Sequence, residues 1–212
     1  MGVIKRGILG GFSGRVANVV GGSWKGIAYM RALPLSVANP NTPAQQTVRE
    51  AFTTAVECGK QLVAVLMPVA WNPFAERKSG FNAFVGVNSK IMAGWETTTW
   101  ANVIMSEGKI PQPSLDVATY DTATGDVELE WSLPAGWPAA YDNAKCFASN
   151  VKKKLKSAIC VDTLETADAL AASINMGLGL EAGDVFDCWI TFVSDDGKDV
   201  SNSEFKATIL LP

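Results

Sequence analysis

Histidine is absent: none of the 212 residues is one. The side chain that most often serves as general base, triad member or metal ligand near neutral pH is therefore missing. Carboxylate pairs alone can run acid–base chemistry, but here Asp and Glu fall mostly in turn patterns or on the outward side of strand patterns, as Glu128 and Glu130 do. Cysteine is scarce. Cys58, Cys146, Cys160 and Cys188 are separated by 88, 14 and 28 residues, so there is no C-x-x-C and no zinc-type spacing. Their apolar surroundings predict buried free thiols, with Cys146 and Cys160 as the one pair that neighbouring strands could bridge. No apolar run approaches the 18 or so residues of a membrane-spanning helix. The Met1–Arg6 segment lacks the sustained apolar stretch of a secretory signal, so synthesis in the cytoplasm without a signal peptide is expected.

Acidic residues are also missing from the first 49 positions. That stretch holds Lys5, Arg6, Arg15, Lys25, Arg31 and Arg49, which leaves 12 cations against 21 acids from Glu50 onward, a net charge of −9. A split of this kind predicts that the basic end meets something acidic, either nucleic acid or the acidic part of a neighbouring copy.

Glycine, by contrast, is plentiful at the start: Gly2, Gly7, Gly10, Gly11 and Gly14 give a turning lead-in. The Gly7–Gly14 run follows no strand pattern and lacks G-K-[ST], so it does not read as a phosphate loop. Two short strand patterns, 15–20 and 23–31, flank Gly21-Gly22, which predicts a β-hairpin with its turn there. Thr42, Pro43 and Gln45 form a helix-start signature, and Val48, Phe52, Ala55, Val56, Leu62, Val63 and Leu66 recur at helical spacing, predicting a helix over 43–66. A second helix is expected from about Ser79, and residues 94–112 read as a linker. From 113 onward the period changes to two. Seven short strands separated by turn signals such as Thr124-Gly125 and Asp195-Asp196-Gly197 predict an antiparallel sandwich. The fold expectation is thus α+β, with a hairpin and two helices over 1–101 and a seven-stranded Ig-like or fibronectin type III-like β-sandwich over 102–212.

Binding signals concentrate in the first part. Lys5 and Arg6, then Arg15, Lys25 and Arg31 interleaved with Trp24 and Tyr29, are the candidate partner-binding residues, because cations beside aromatics can pair with acids and stack on planar groups. Trp189 alternates away from the Phe186, Cys188, Ile190 and Phe192 face, so it is either covered by another part of the fold or exposed as an interface anchor. Lys152–Lys156 reads as a solvated hairpin tip, and Asp195–Lys198 as a turn rather than a calcium loop. No cofactor, metal or small-molecule substrate is expected.

Two resemblances add to this reading. Leu129-Glu-Trp-Ser-Leu-Pro134 resembles the second strand of fibronectin type III sandwiches. Leu180-Glu-Ala-Gly-Asp-Val-Phe186 resembles the segment entering their sixth strand, with Phe where a Tyr usually stands. The segments Gly7–Gly26, Asn39-Pro-Asn-Thr-Pro-Ala-Gln-Gln46 and Ser79-Gly-Phe-Asn-Ala-Phe84 resemble an uncharacterised family found in bacterial and bacteriophage genomes. That second resemblance implies a virion component. The expected function is a non-enzymatic structural or assembly subunit, anchored through its N-terminal region to other protein subunits in a virion or similar particle. The alternatives are a nucleic-acid-binding module or a surface adhesion or carbohydrate-binding sandwich.

Overall fold

The structure is a computed structural model that describes residues 3–4, 11–36, 39–121, 124–175 and 185–210. It is a mixed helical and antiparallel β chain with a sandwich-like arrangement of sheets. Two compact units divide it, residues 1–42 and 43–212. This differs from the boundary expected at 101/102, and the reason is packing: the helical segment shares a hydrophobic core with one of the later sheets.

The first unit is a four-stranded antiparallel sheet in the order β1 (Val3–Ile4), β2 (Phe12–Val16), β3 (Val19–Trp24), β4 (Ile27–Ala32). The expected hairpin turn at Gly21-Gly22 does not exist, because both glycines lie in mid-strand, Gly21 opposite Gly14 and Met30, and Gly22 opposite Tyr29. The turns fall instead at Ala17-Asn18 and at Lys25-Gly26, where φ is +49° and +84°, the left-handed pair of a two-residue hairpin loop. What the mid-strand glycines supply is room. A Cβ at Gly21 would sit 2.3 Å from the Phe12 carbonyl oxygen, and one at Gly22 would sit 2.9 Å from the Tyr29 ring.

In the second unit, α1 (Pro43–Leu62) starts at the predicted proline and ends four residues early. A π-helical turn, Met67–Trp71, follows. Helix α2 (Gly80–Asn88) opens where predicted, its first turn capped by Ser79, whose hydroxyl accepts from the Asn82 N–H at 3.2 Å. The buried side of α1 is built from small residues, Ala51, Thr54, Ala55, Cys58 and Gly59, so that Phe81 and Phe84 approach closely. Residues 94–112 are not a free linker. They bury Trp95, Trp100, Val103, Met105 and Ile110, and buried Asn88 holds the segment by bonding both the N–H and the carbonyl of Ile104 at 2.9 Å.

Seven strands follow: β5 (Ser114–Asp121), β6 (Asp126–Ser132), β7 (Lys145–Lys152), β8 (Ser157–Thr166), β9 (Ala171–Ile174), β10 (Val185–Val193) and β11 (Glu204–Leu210). They form a three-stranded sheet, β5-β6-β9, and a four-stranded sheet, β11-β10-β7-β8. Between the sheets lies one core: Val127, Leu129 and Trp131 face Cys146, Ala148, Phe186, Cys188, Ile190 and Phe192. The other side of the four-stranded sheet carries Phe147, Val151, Cys160, Trp189 and Val193, and packs against the helical residues. A sheet covered on both faces loses the simple polar–apolar alternation, which is why β10 reads as nearly continuous hydrophobic sequence. Gln61 on α1 fastens the helical layer to the edge of β8: its amide donates to the Lys156 carbonyl at 2.9 Å and accepts from the Ala158 N–H at 2.8 Å.

Candidate partner interface

Strand register decides which side chains share a face. In the first unit Arg15 pairs across to Val20 and Val20 to Arg31, so the two arginines flank one valine on a single face. By alternation the same face carries Tyr29, opposite Gly22, and the pair Trp24 and Ile27. The Tyr29 ring lies over Gly22, whose missing side chain leaves the place it occupies. Lys25, in the β3–β4 turn, sets its ammonium 4.7 Å from the centre of the Trp24 ring. The Arg15 Nε donates to the Ala17 carbonyl at 3.0 Å, which fixes the guanidinium near the β2–β3 turn. Five of the residues singled out from sequence are thus brought together. Lys5 and Arg6 lie outside the described residues.

This face is open. Trp24 is 64% exposed and every residue of β4 is exposed. The opposite face carries Phe12, Val16, Val19 and Met30, of which Met30 is 70% exposed. Among the described residues 11–36, Gly21 alone is buried. Among the described residues its strands are paired in an antiparallel ladder with almost no interior, and β4 ends the sheet with an open edge.

Trp189 does not belong to this surface. It is fully buried, with its ring 5.1 Å from Phe205 and 6.3 Å from Trp100, because the helical layer covers the face on which it stands. The lysine cluster also departs from a solvated tip at its start. Lys152 is buried, and Lys153 pairs with buried Asp187 at 2.8 Å, while Lys154–Lys156 are exposed. The Asp195–Lys198 segment is a turn. The Asp196 carboxylate accepts from the Ser194 hydroxyl at 2.7 Å and from the Lys198 N–H at 3.1 Å, and Lys198 with these bonds holds its pKa down to about 2. All four cysteines are free and buried. Burial pushes the thiols of Cys58, Cys146 and Cys160 up to about 12 and that of Cys188 higher still, so each is held as the neutral, unreactive thiol.

Sequence reasoning missed a second exposed apolar group. Val48 and Phe52 share the helical period of α1 with the core residues and, with Val63 just past its end, stand open beside the buried stripe. Periodicity alone does not separate them, because an apolar band wider than the contact face leaves its margin uncovered. Chemically, the N-terminal face offers three cations, two aromatic rings and two aliphatic side chains, Val20 and Ile27. That combination binds a surface of carboxylates or phosphates with planar or aliphatic groups between them.

The chain belongs to DUF6266, a family of unknown function whose model matches residues 11–207. No curated protein matches it. Among solved structures it is similar to the twitchin kinase region from C. elegans, at 18% identity and a TM-score of 0.33, over 50% of this chain and 17% of that one. A likeness this loose carries nothing about function.

Proposed function

We propose that this family member is a non-catalytic structural subunit that enters a multi-subunit particle through its N-terminal sheet. The observation that carries the reading is a four-stranded sheet with both faces open and Gly21 as its one buried residue among those described. Backbone hydrogen bonds contribute only about 1 kcal/mol each net of water, and ordering each residue costs about as much. A sheet without burial is therefore stabilised mainly by whatever covers it. The sandwich is then the displayed or laterally packing part. Its strand order, β5-β6-β9 against β11-β10-β7-β8, supports the fibronectin type III reading, with Phe186 filling the core where a corner tyrosine would add a hydroxyl. That the particle is a virion rests on the sequence resemblance alone.

The test is rate-zonal sedimentation of gently lysed source cells, comparing the full chain with a chain lacking residues 1–42. Among the described residues the hydrophobic core draws on none before Ala51, so the shortened chain keeps its interior. The full chain is expected to travel with a particle far heavier than its own 22.5 kDa and the shortened chain to stay at the top. A full chain that sediments alone overturns the reading.

A second reading, nucleic-acid binding, is favoured by one observation: Lys25 over Trp24, with Tyr29, Arg15 and Arg31 on the same face. Mobility shifts on single- and double-stranded DNA that weaken steeply with salt would support it, and no shift at low salt would end it.

A further inference from the structure

We propose that the occupant of the Arg15/Trp24/Tyr29/Arg31 face is a second copy of this chain, docked through the acidic outer face of its β5-β6-β9 sheet. The proposal rests on the assembly reading above and names the partner.

Charge is the first argument. Residues 1–42 contain Lys5, Arg6, Arg15, Lys25 and Arg31 and no acid, whereas residues 43–212 hold 13 cations and 21 acids, a net of −8. The acids are not spread evenly over the outer surface. On β6, Val127, Leu129 and Trp131 point into the core, so Glu128 and Glu130 stand on the outside, both exposed. Their cross-strand neighbours are short: Thr119 and Ser173 flank Glu128, and Val117 and Ala171 flank Glu130. With Glu165 beside them, the two carboxylates line a shallow concavity of about 330 Å³. Among the described residues, none of these three carboxylates has a cation within ion-pair distance.

Spacing is the second argument. Arg15 and Arg31 lie one strand apart on either side of Val20, roughly 10 Å between backbones, while Glu128 and Glu130 lie about 7 Å apart along one strand. Arginine and glutamate side chains span the difference and form paired, fork-shaped contacts. Trp24, Tyr29 and Ile27 then cover the short Thr119, Ser173 and Ala171 side chains, which leave room for large rings. A flat basic-aromatic face and a shallow acidic face are complementary in sign and in relief.

The two halves of the contact are different surfaces, and each copy carries both. The contact is therefore heterologous, and repetition gives a closed ring or an open row rather than a symmetric dimer.

The test uses the purified full chain in sedimentation velocity, across protein concentration at low and high salt. The wild type is expected to grow beyond a dimer at low salt and to fall back toward 22.5 kDa at high salt. Arg15→Glu/Arg31→Glu and Glu128→Lys/Glu130→Lys each set like charges face to face, and each is expected to weaken association by more than about a hundredfold. Mixing the two variants is expected to restore it, because every contact in the mixture again joins opposite charges. All four positions are exposed, so unchanged circular dichroism melts confirm that the variants fold. A wild type that stays monomeric at low salt at every concentration overturns the proposal. If that monomer still enters the native particle, the assembly reading survives and the partner is a different protein. Association that ignores both reversals, or a mixture that stays monomeric, also overturns it. So does a monomer that binds DNA through Arg15 and Arg31, which would make nucleic acid the occupant.

Discussion

Trp24 and Trp189 are both strand tryptophans, and their surroundings could hardly differ more. Trp24 stands largely in water on the N-terminal sheet with Lys25 against its ring, while Trp189 is enclosed by Trp100, Phe205 and the helical layer. The two sheets that carry them are each four-stranded and antiparallel. What separates them is cover: the later sheet has helices on one face and a second sheet on the other, and the first has neither face buried. Hydrogen bonds define the shape of both sheets, but removal of apolar area from water stabilises only one of them within the chain. The stability of the first depends on what binds it.

Paired substitutions sharpen that contrast. Trp189→Ala should cost about 3–5 kcal/mol in urea unfolding, whereas Trp24→Ala should change stability by less than about 0.5 kcal/mol and show itself in assembly instead. Equal losses at the two positions would break the comparison. Next in size is Lys153→Ala. It takes one ion-pair partner from the buried Asp187 carboxylate, and a loss of roughly 1–3 kcal/mol is expected, moderated because the lysine keeps 31% of its side-chain surface in water. Gly59→Ala brings a methyl to 3.1 Å from the Phe81 and Phe84 rings, so overpacking of about 1–3 kcal/mol offsets the usual gain in helix propensity of about 1 kcal/mol. Gly22→Ala meets only the mobile end of exposed Tyr29 and should cost less. A melt that ranks these two glycines in the reverse order would show that the Tyr29 ring is firmly held on its own face of the N-terminal sheet. Near neutral pH the smallest effect is that of pH itself. The cysteines of the second unit hold their folded pKa above the ordinary value of 9.0, so their contribution to stability is complete below pH 9 and is lost as pH rises toward about 12. Thiol titration should label none of the four in the native chain near neutral pH and all four in urea.

Much of the second unit was legible. Pro43 and Ser79 mark helix starts, and the alternation of Val127, Leu129 and Trp131 marks a half-buried strand, because local geometry and one-sided burial both leave a period in the sequence. The helical cover over Trp189 was not legible. Two-sided burial erases the period, and a stretch such as 94–112 shows no regular pattern even though it buries two tryptophans. In the first unit the binding residue types were readable but their arrangement was not. A turn at Gly21-Gly22 would set Arg15 opposite Ala28, while the observed turns set it opposite Val20 and bring Arg31 onto the same row. Glycine's two uses, bending the chain and admitting a neighbouring ring, look alike in one dimension. Lys5 and Arg6 fall outside the described residues, so their part in that row does not enter.

The Gln61 clasp has a bearing on how such molecules accumulate. By occupying the Lys156 carbonyl and the Ala158 amide, one glutamine takes up two of the bonds that a stray strand would otherwise use to start pairing with β8. A margin begun with a side chain is harder to extend by copying itself, whereas among the described residues β4 keeps the bare backbone that a visitor can zip onto. The chain thus carries one strand margin guarded at its start and another left open among the described residues, a difference that favours recruitment at β4 over indiscriminate clumping at β8.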